Sequence, residues 1–437
     1  MKTNAFNRRI KACLTILKSS VNQSALLLSS HPPVIRSHDT HYPYKQQSDF
    51  YYLTGSEIQN SALLISSKLK HPILFAPPQD AHKTLWEGKQ PNPKILAQQI
   101  GAELKVAKDM RAEVLAALRG HDQLLFQNIP GSLSFKITSE LIAIPSYARG
   151  NLPSQFSHSD VLLERLRLFK DAEEVETIRA ANEITSEALL FVAAKIQPGQ
   201  FEYEVARTLE YIFGMNKCSP AFNSIIAAGK NAATLHYEAL NSRIGKNDMV
   251  LIDSGAQLDN YCADITRMLP ASGQFSPIHK CVYETVLAAQ YAALKKVRHG
   301  VKIAEVYNAA AEVLVEGLCE LKVLRGTRKS IMKNKAFKPY FPHGIGHSLG
   351  LDVHDLSQLR GNNEAVLEAG MVFTVEPGLY FAKAQGQVPA CGVRLEDNVL
   401  VTNKGCEILS PGFPKETDEI EALMEAHAFA GKNRETL

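Results

Sequence analysis

The chain lacks several features that would each have narrowed its class. It has one tryptophan, Trp86, in 437 residues. It has no C-x-x-C pair, and its seven cysteines, at 13, 218, 262, 281, 319, 391 and 406, are odd in number and widely spaced. That usage suits reduced thiols in a cytoplasmic protein better than a disulfide framework. No stretch approaches the roughly 18 apolar residues of a membrane span. The apolar run at 25–28 is too short for a signal-peptide core. Excess charge is missing as well: the balance is +3, too small at this size to imply a nucleic-acid or membrane surface. There is no internal repeat and no low-complexity tract.

What is present is an ordinary globular composition, 45% hydrophobic and 21% charged. Such a chain can bury a substantial core. Its length corresponds to two or three domains.

Residues 1–165 alternate short apolar runs with turn residues. Runs at 24–28, 62–65 and 73–75 predict strands, and 94–99 and 111–118 predict helices. That alternation predicts an α/β domain. A Gly-, Pro- and Ser-rich linker is expected at 150–159. Residues 166–437 then form a second domain of α+β type. A long helix is expected over 172–196, where Val175, Ile178, Ala181, Ile184, Ala188 and Val192 recur at three and four. Pro198–Gly199 ends it. Further helices fit 203–213, 278–297 and 303–321. Between them, 249–255, 261–269, 371–380 and 392–401 read as β-rich. The basic stretch 322–338, with seven cations and no acid, is expected to be a solvated loop.

The polar residues hardest to explain as structure lie in the second domain. Asp253 and Asp264 sit in two strand-like runs around a short polar turn. A turn centred on Leu258–Asp259 would set the two acids directly opposite each other, with Cβ atoms about 4.5–5.5 Å apart. Buried carboxylates must pair, protonate or bind metal. Read alone, the hairpin leaves open both a cation site and a turn aspartate with a surface partner. The segment 342–355 places His343, His347 and His354 among the glycines 344, 346 and 350. These glycines suit a loop whose backbone approaches a ligand. A lone histidine is usually structural, but three in such a loop favour ligation. Glu376 and Glu396 lie inside apolar runs where an unpaired glutamate is rare. A salt bridge to Arg394 is the structural alternative. Taken together, two Asp, two Glu and one His form an oxygen-rich set. It suits Mn or Mg, and its imidazole leans toward Mn, Fe, Co or Zn. Four carboxylates exceed the need of one ion and favour two.

The five residues occur inside L-I-D-S-G, A-D-I-T-R, H-G-I-G-H, T-V-E-P-G and V-R-L-E-D. In this order they resemble the ligand signature of the pita-bread metallopeptidases, a group that includes methionine aminopeptidase, prolidase and aminopeptidase P. The stretch from Asp39 to Gly55, and Leu85-Trp86-Glu-Gly, resemble the N-terminal domain and the Trp-containing loop of aminopeptidase P. The resemblance implies a pita-bread catalytic domain after an N-terminal domain that serves oligomerisation and the substrate pocket. It implies removal of an N-terminal residue that precedes proline. It also implies two divalent ions per subunit, Mn2+ foremost, bridged by Asp264 and Glu396. Asp253 completes one ion, and His347 with Glu376 the other. Glu376 is then the general base, and His236 and His354 hydrogen-bond substrate or the developing oxyanion. Arg394, Tyr380, His343 and Asp39 are placed as supporting or substrate-facing residues. The family sets the tryptophan against a neighbouring subunit's active site, which implies a homo-oligomer, a tetramer or dimer. The partners implied are proline-containing peptides. Prolidase, which cleaves Xaa-Pro dipeptides, fits 343–355 equally well, and a catalytically inactive binding protein is a further alternative. The segments 381–391 and 356–364 depart from the family pattern.

Overall fold

The computed structural model describes residues 3–20, 22–357, 359, 362 and 364–432. The side chains of residues 3, 4, 146 and 427–432 are outside that description. The chain divides into two compact units on either side of Arg167 and Leu168.

The first unit is built on a six-stranded mixed sheet. Across it, in order, lie Glu103–Val106, Ile73–Ala76, Ala62–Ser66, Ser24–Ser29, Gln123–Phe126 and Gln155–His158. The strands Ser24–Ser29 and Ala62–Ser66 are buried at every position, and their sequences, SALLLS and ALLIS, are nearly all apolar, as strands covered on both faces require. The edge strands carry Glu103 and Lys105, or Gln155 and His158, polar residues that discourage pairing with another chain. Gln155–His158 lies in the expected linker. It pairs parallel with Gln123–Phe126, so part of that Gly/Pro-rich stretch belongs to the sheet. The unit also contains the helix Thr3–Ser19, which is not among the expected elements. Its Phe6, Ile10, Cys13 and Leu17 are all buried, on the one-face spacing of an amphipathic helix.

The second unit is α+β. Four long helices, Ala172–Ala193, Glu202–Met215, Pro277–Leu294 and Ile303–Glu320, fall where apolar periodicity predicts them. A capping box of Asp171 and Glu174 starts the first. They accompany short sheets. Ile225–Ala228, Met249–Ser254 and Ile265–Pro270 form one, and Val372–Val375, Asp397–Val401 and Cys406–Ile408 another. Gly378–Phe381 pairs with Cys391–Arg394.

The carboxylate hairpin differs from expectation by one residue. Its turn is Asp259–Asn260, both with positive φ, 46° and 65°. Asx side chains tolerate that conformation, which a two-residue hairpin turn of this hand requires. Leu258 therefore pairs with Tyr261, and Asp253 pairs with Thr266 rather than Asp264. Asp264 lies two residues before Thr266, just ahead of the strand Ile265–Pro270, so the acids are diagonal neighbours.

The basic stretch is not a loop throughout. The helix Arg328–Asn334 occupies its middle, and Ile331 and Phe337 are buried. The Lys338 ammonium sits 4.8 Å from the Tyr307 ring centroid. Among the described residues no helix is long and apolar enough to cross a membrane.

Candidate metal centre

Two antiparallel pairings build most of the site. The first is the hairpin that carries Asp253 and Asp264. The second joins the histidine segment to the strand Val372–Val375. Thr374 N–H donates to the His347 carbonyl at 2.9 Å, Glu376 N–H to the Ile345 carbonyl at 2.9 Å, and Leu349 N–H to the Val372 carbonyl at 3.1 Å. His347 therefore lies across from Thr374, and Glu376 is its diagonal neighbour on the same face. Gly346 makes this approach possible. A Cβ there would fall 1.8 Å from the Thr374 carbonyl oxygen. A Cβ at Gly350 would meet the Asp355 carboxylate at 2.5 Å. For these two glycines, close approach to neighbouring protein atoms is what excludes a side chain.

Glu396 comes from the short link between Cys391–Arg394 and Asp397–Val401. Its N–H donates to the Thr266 carbonyl at 3.2 Å, and the Thr266 hydroxyl donates to Glu396 Oε2 at 2.7 Å. Behind it the fully buried Arg267 donates to the Glu396 carbonyl and to Asp397 Oδ1, and Lys415 donates to Asp397 Oδ2. Burial would raise the Asp397 carboxyl, but the charges of Arg267 and Lys415 outweigh it and hold it below its usual range.

The five expected ligands come together on one cavity of about 560 Å3. His347 Nε2 is 3.4 Å from Asp264 Oδ2 and 3.6 Å from Glu376 Oε1. Donor atoms of Asp264, His347 and Glu396 all lie within 4.8 Å of one another. Asp253 Oδ1, Asp264 Oδ1 and Glu396 Oε1 are buried without a hydrogen-bond partner among the described residues. A buried carboxylate oxygen left so is costly, and a hard divalent cation is what this set of oxygens and one imidazole fits.

The electrostatics agree. Burial, then the charge of Asp253, then that of Glu376, push the Asp264 carboxyl well above its usual range. Burial and the charge of Asp264 do the same to Glu396. At Glu376 burial acts upward too, but His347, His343 and Arg394 outweigh it, and the net shift is downward. Four carboxylates face one buried guanidinium, Arg394, and they cannot all ionise at low cost without further positive charge.

Arg394 is not the salt-bridge partner that the structural alternative offered Glu376 and Glu396. It donates to Asp253 Oδ2, not to Glu376 or Glu396, and also to the Tyr380 hydroxyl at 3.1 Å and Thr266 Oγ1 at 3.2 Å. Burial lowers its pKa, but Tyr380, Asp253 and Glu376 outweigh this and hold it well above the ordinary value. Burial pushes the Tyr380 phenol up to about 12, so it is a neutral donor and acceptor. His343 Nε2 lies 2.9 Å from the same hydroxyl, and burial lowers the His343 pKa. His354 stands edge-on to His347, with ring centroids 4.3 Å apart, and lines the cavity. His236 lines it as well, from the exposed segment after Ala233.

Trp86 and Asp39 belong to the first unit. Trp86 is on a short helix, Ala81–Glu87, not a loop. It is 76% exposed beside Leu85 at 82%, and its indole N–H donates to His82 Nε2 at 3.2 Å. Asp39 is exposed in the turn between Ile35–Ser37 and Thr40–His41. Of the segment 356–364, residues 358, 360, 361 and 363 lie outside the described residues.

Sequence reasoning missed Thr266 and Thr374. Thr374 Oγ1 accepts from His347 N–H at 3.0 Å and donates to Glu376 Oε1 at 3.2 Å. It also missed Phe222 and Glu238, which line the cavity. The two threonines carried a faint signal, since each lies in a strand two residues from an expected ligand just beyond that strand's end.

Residues 176–403, which include all five expected ligands, match the model of metallopeptidase family M24, and residues 6–126 match that of the aminopeptidase P N-terminal domain. The chain belongs to metallopeptidase family M24, with the pita-bread architecture. It is 33% identical to the Xaa-Pro aminopeptidase of Escherichia coli K12, over 96% of this chain and 97% of that one. The Xaa-Pro aminopeptidase of Haemophilus influenzae is also 33% identical, over 92% and 93%. Among solved structures, Pseudomonas aeruginosa aminopeptidase PepP superposes with a TM-score of 0.91 at 35% identity, covering 98% of this chain and 99% of that one. Aminopeptidase P from E. coli with the inhibitor Pro-Leu gives 0.91 at 32%, with the same coverage.

Proposed function

We propose that this chain is a metal-dependent Xaa-Pro aminopeptidase, releasing the N-terminal residue of peptides that carry proline in second place. The observation that carries the reading is the convergence of Asp253, Asp264, His347, Glu376 and Glu396 on one cavity. It occurs in a chain similar over nearly its whole length to Xaa-Pro aminopeptidases. Asp264 and Glu396 would bridge two divalent ions, Asp253 would complete one, and His347 with Glu376 the other. Mn2+ suits four carboxylates and one imidazole. Such ions, when bound, bring the pKa of a water toward ~7 and polarise a carbonyl.

The chain's own groups do the rest. The bond before proline is a tertiary amide with no N–H, so the site needs groups that act on its carbonyl and on its leaving nitrogen. Glu376 accepts a proton from the attacking water and returns it to the proline nitrogen as the bond breaks. His236 and His354 face the cavity as donors where negative charge develops on the carbonyl oxygen. Arg394, Tyr380 and His343 form a hydrogen-bonded chain that ends on Asp253 and fixes its orientation. The exposed Leu85 and Trp86 support a homo-oligomer, a tetramer or dimer, in which the first unit completes a neighbour's site. The seven free cysteines support a cytoplasmic location.

The test is a peptide panel of Xaa-Pro-Yaa, Xaa-Pro and Xaa-Ala-Yaa, assayed after chelation and after re-addition of Mn, Co, Zn or Mg. Xaa-Pro-Yaa should be cleaved, chelation should abolish cleavage, and Mn should restore it. Cleavage of the dipeptide alone would indicate prolidase activity, and full activity without metal would refute the proposal.

A further inference from the structure

Glu202 is the first residue of the helix Glu202–Met215 and is completely buried. Its carboxylate accepts four hydrogen bonds. Oε1 receives Ala228 N–H at 2.9 Å and Asn231 Nδ2 at 2.9 Å. Oε2 receives the Tyr237 hydroxyl at 2.8 Å and Ser242 N–H at 3.0 Å. The backbone adds to this: Glu202 N–H donates to the Ser242 carbonyl at 3.1 Å, and Tyr203 N–H to that of Leu240 at 3.0 Å. All these partners lie in 228–242, the segment that brings Leu235, His236 and Glu238 to the cavity. Residues 237–241 have no regular secondary structure, so no ladder or helix fixes that stretch.

We propose that Glu202 is the positioning residue for His236, an inference that rests on the reading of His236 as a donor to substrate. The chemistry explains why an acid is needed. Four donors and no acceptor point at the two oxygens, and an ionised carboxylate accepts about four hydrogen bonds while donating none. Glutamine has the same shape but turns an NH2 group toward one pair of donors. Either Ala228 N–H or Ser242 N–H then loses its partner in the interior, which is costly. The helix N-terminus favours the negative charge of glutamate at this place. One side chain thus holds the segment before His236, the residue after it, and the far end at Ser242.

The test uses metal-loaded enzyme and an Xaa-Pro-Yaa peptide, with Glu202→Gln made in the native and His236→Ala backgrounds. In the native background kcat should fall about ten- to hundredfold, as for a displaced catalytic group, with KM changed less and metal content unchanged. In the His236→Ala background the same substitution should add no more than about twofold, because the group it positions is gone. Tyr237→Phe removes one of the four donors and should give a smaller loss with the same background dependence. It carries the test if Glu202→Gln does not fold. Native turnover in His236→Ala would overturn both the role of His236 and this proposal. An impaired His236→Ala, with Glu202 and Tyr237 losses that simply multiply onto it, would overturn the positioning role alone.

Discussion

Metal-free protein should lose stability as pH rises, and Asp264→Asn should roughly halve that loss. Asp264 and Glu396 are 5% and 2% exposed, and both carboxyls are raised well above their ordinary values of 3.8 and 4.5. The folded state therefore holds protons that the unfolded chain has already released. Wherever the folded form binds more protons, stability falls with rising pH. The window opens at the ordinary carboxylate values and closes at the raised ones. Each group contributes up to about 1.4 kcal/mol per pH unit, so the pair contributes at most about 2.7 kcal/mol. For a unit of this size that is roughly 5–10 °C in Tm per pH unit. Glu376 is shifted downward, so its effect falls below the ordinary glutamate range and leaves the window untouched. The assay is thermal unfolding of chelator-treated protein between pH 5 and 8, beside Mn-saturated protein. The Tm of the metal-free form should drop with pH while the loaded form stays level. Asp264→Asn removes one member of the repelling pair. It should raise the metal-free Tm at neutral pH and roughly halve the slope while abolishing metal binding. A metal-free Tm that rises with pH, or an Asp264→Asn protein less stable than its parent without metal, would refute the reasoning.

Other expectations concern catalysis. Asp264→Asn and Glu396→Gln should each cost more turnover than His354→Ala, whose loss should be about 2.7–4 kcal/mol if it acts as an oxyanion donor. Near-native kcat with stoichiometric metal in either carboxylate variant would contradict the bridging assignment. Trp86→Ala should weaken binding of tripeptides and longer substrates with metal content intact, because an exposed aromatic ring offers an apolar wall to a neighbouring site. A native protein that is monomeric by light scattering at assay concentration and fully active would rule out a shared site.

Much of the second unit was legible because its long helices carry strong apolar periodicity, and because acids stand out inside apolar runs of the sequence. Asp253, Asp264, Glu376 and Glu396 could be found that way, and His347 by its glycines. The hairpin register was not, since it depends on which two residues accept positive φ. Leu258 was counted into the turn where Asp259 and Asn260 do that work. The partner of Arg394 was illegible for a different reason. Arg394 lies two residues from Glu396 in sequence, yet it reaches Asp253 across 141 positions, and only the tertiary fold sets that contact. Thr266 and Thr374 hid in plain strands, where threonine is common on propensity alone. The helix Thr3–Ser19 has its signal in the spacing of Phe6, Ile10, Cys13 and Leu17. The strand Gln155–His158 was masked by the turn residues before it.

The pairing of Gly378–Phe381 with Cys391–Arg394 bears on how this enzyme can vary. Four consecutive pairs, from Gly378 with Arg394 to Phe381 with Cys391, lock the base of the hairpin. Beyond Phe381 the chain turns back through 382–390, closed by an isolated Gln385–Val388 bridge. Arg394, and through it Asp253, takes its position from the base and not from the tip. Within the tip Val388 is buried in the core while 382–384, 386 and 387 are exposed, so residues added at those exposed positions should leave the register that aims the guanidinium unchanged. Residues 382–390 do not line the cavity, so a graft there should leave the geometry around Asp253 intact.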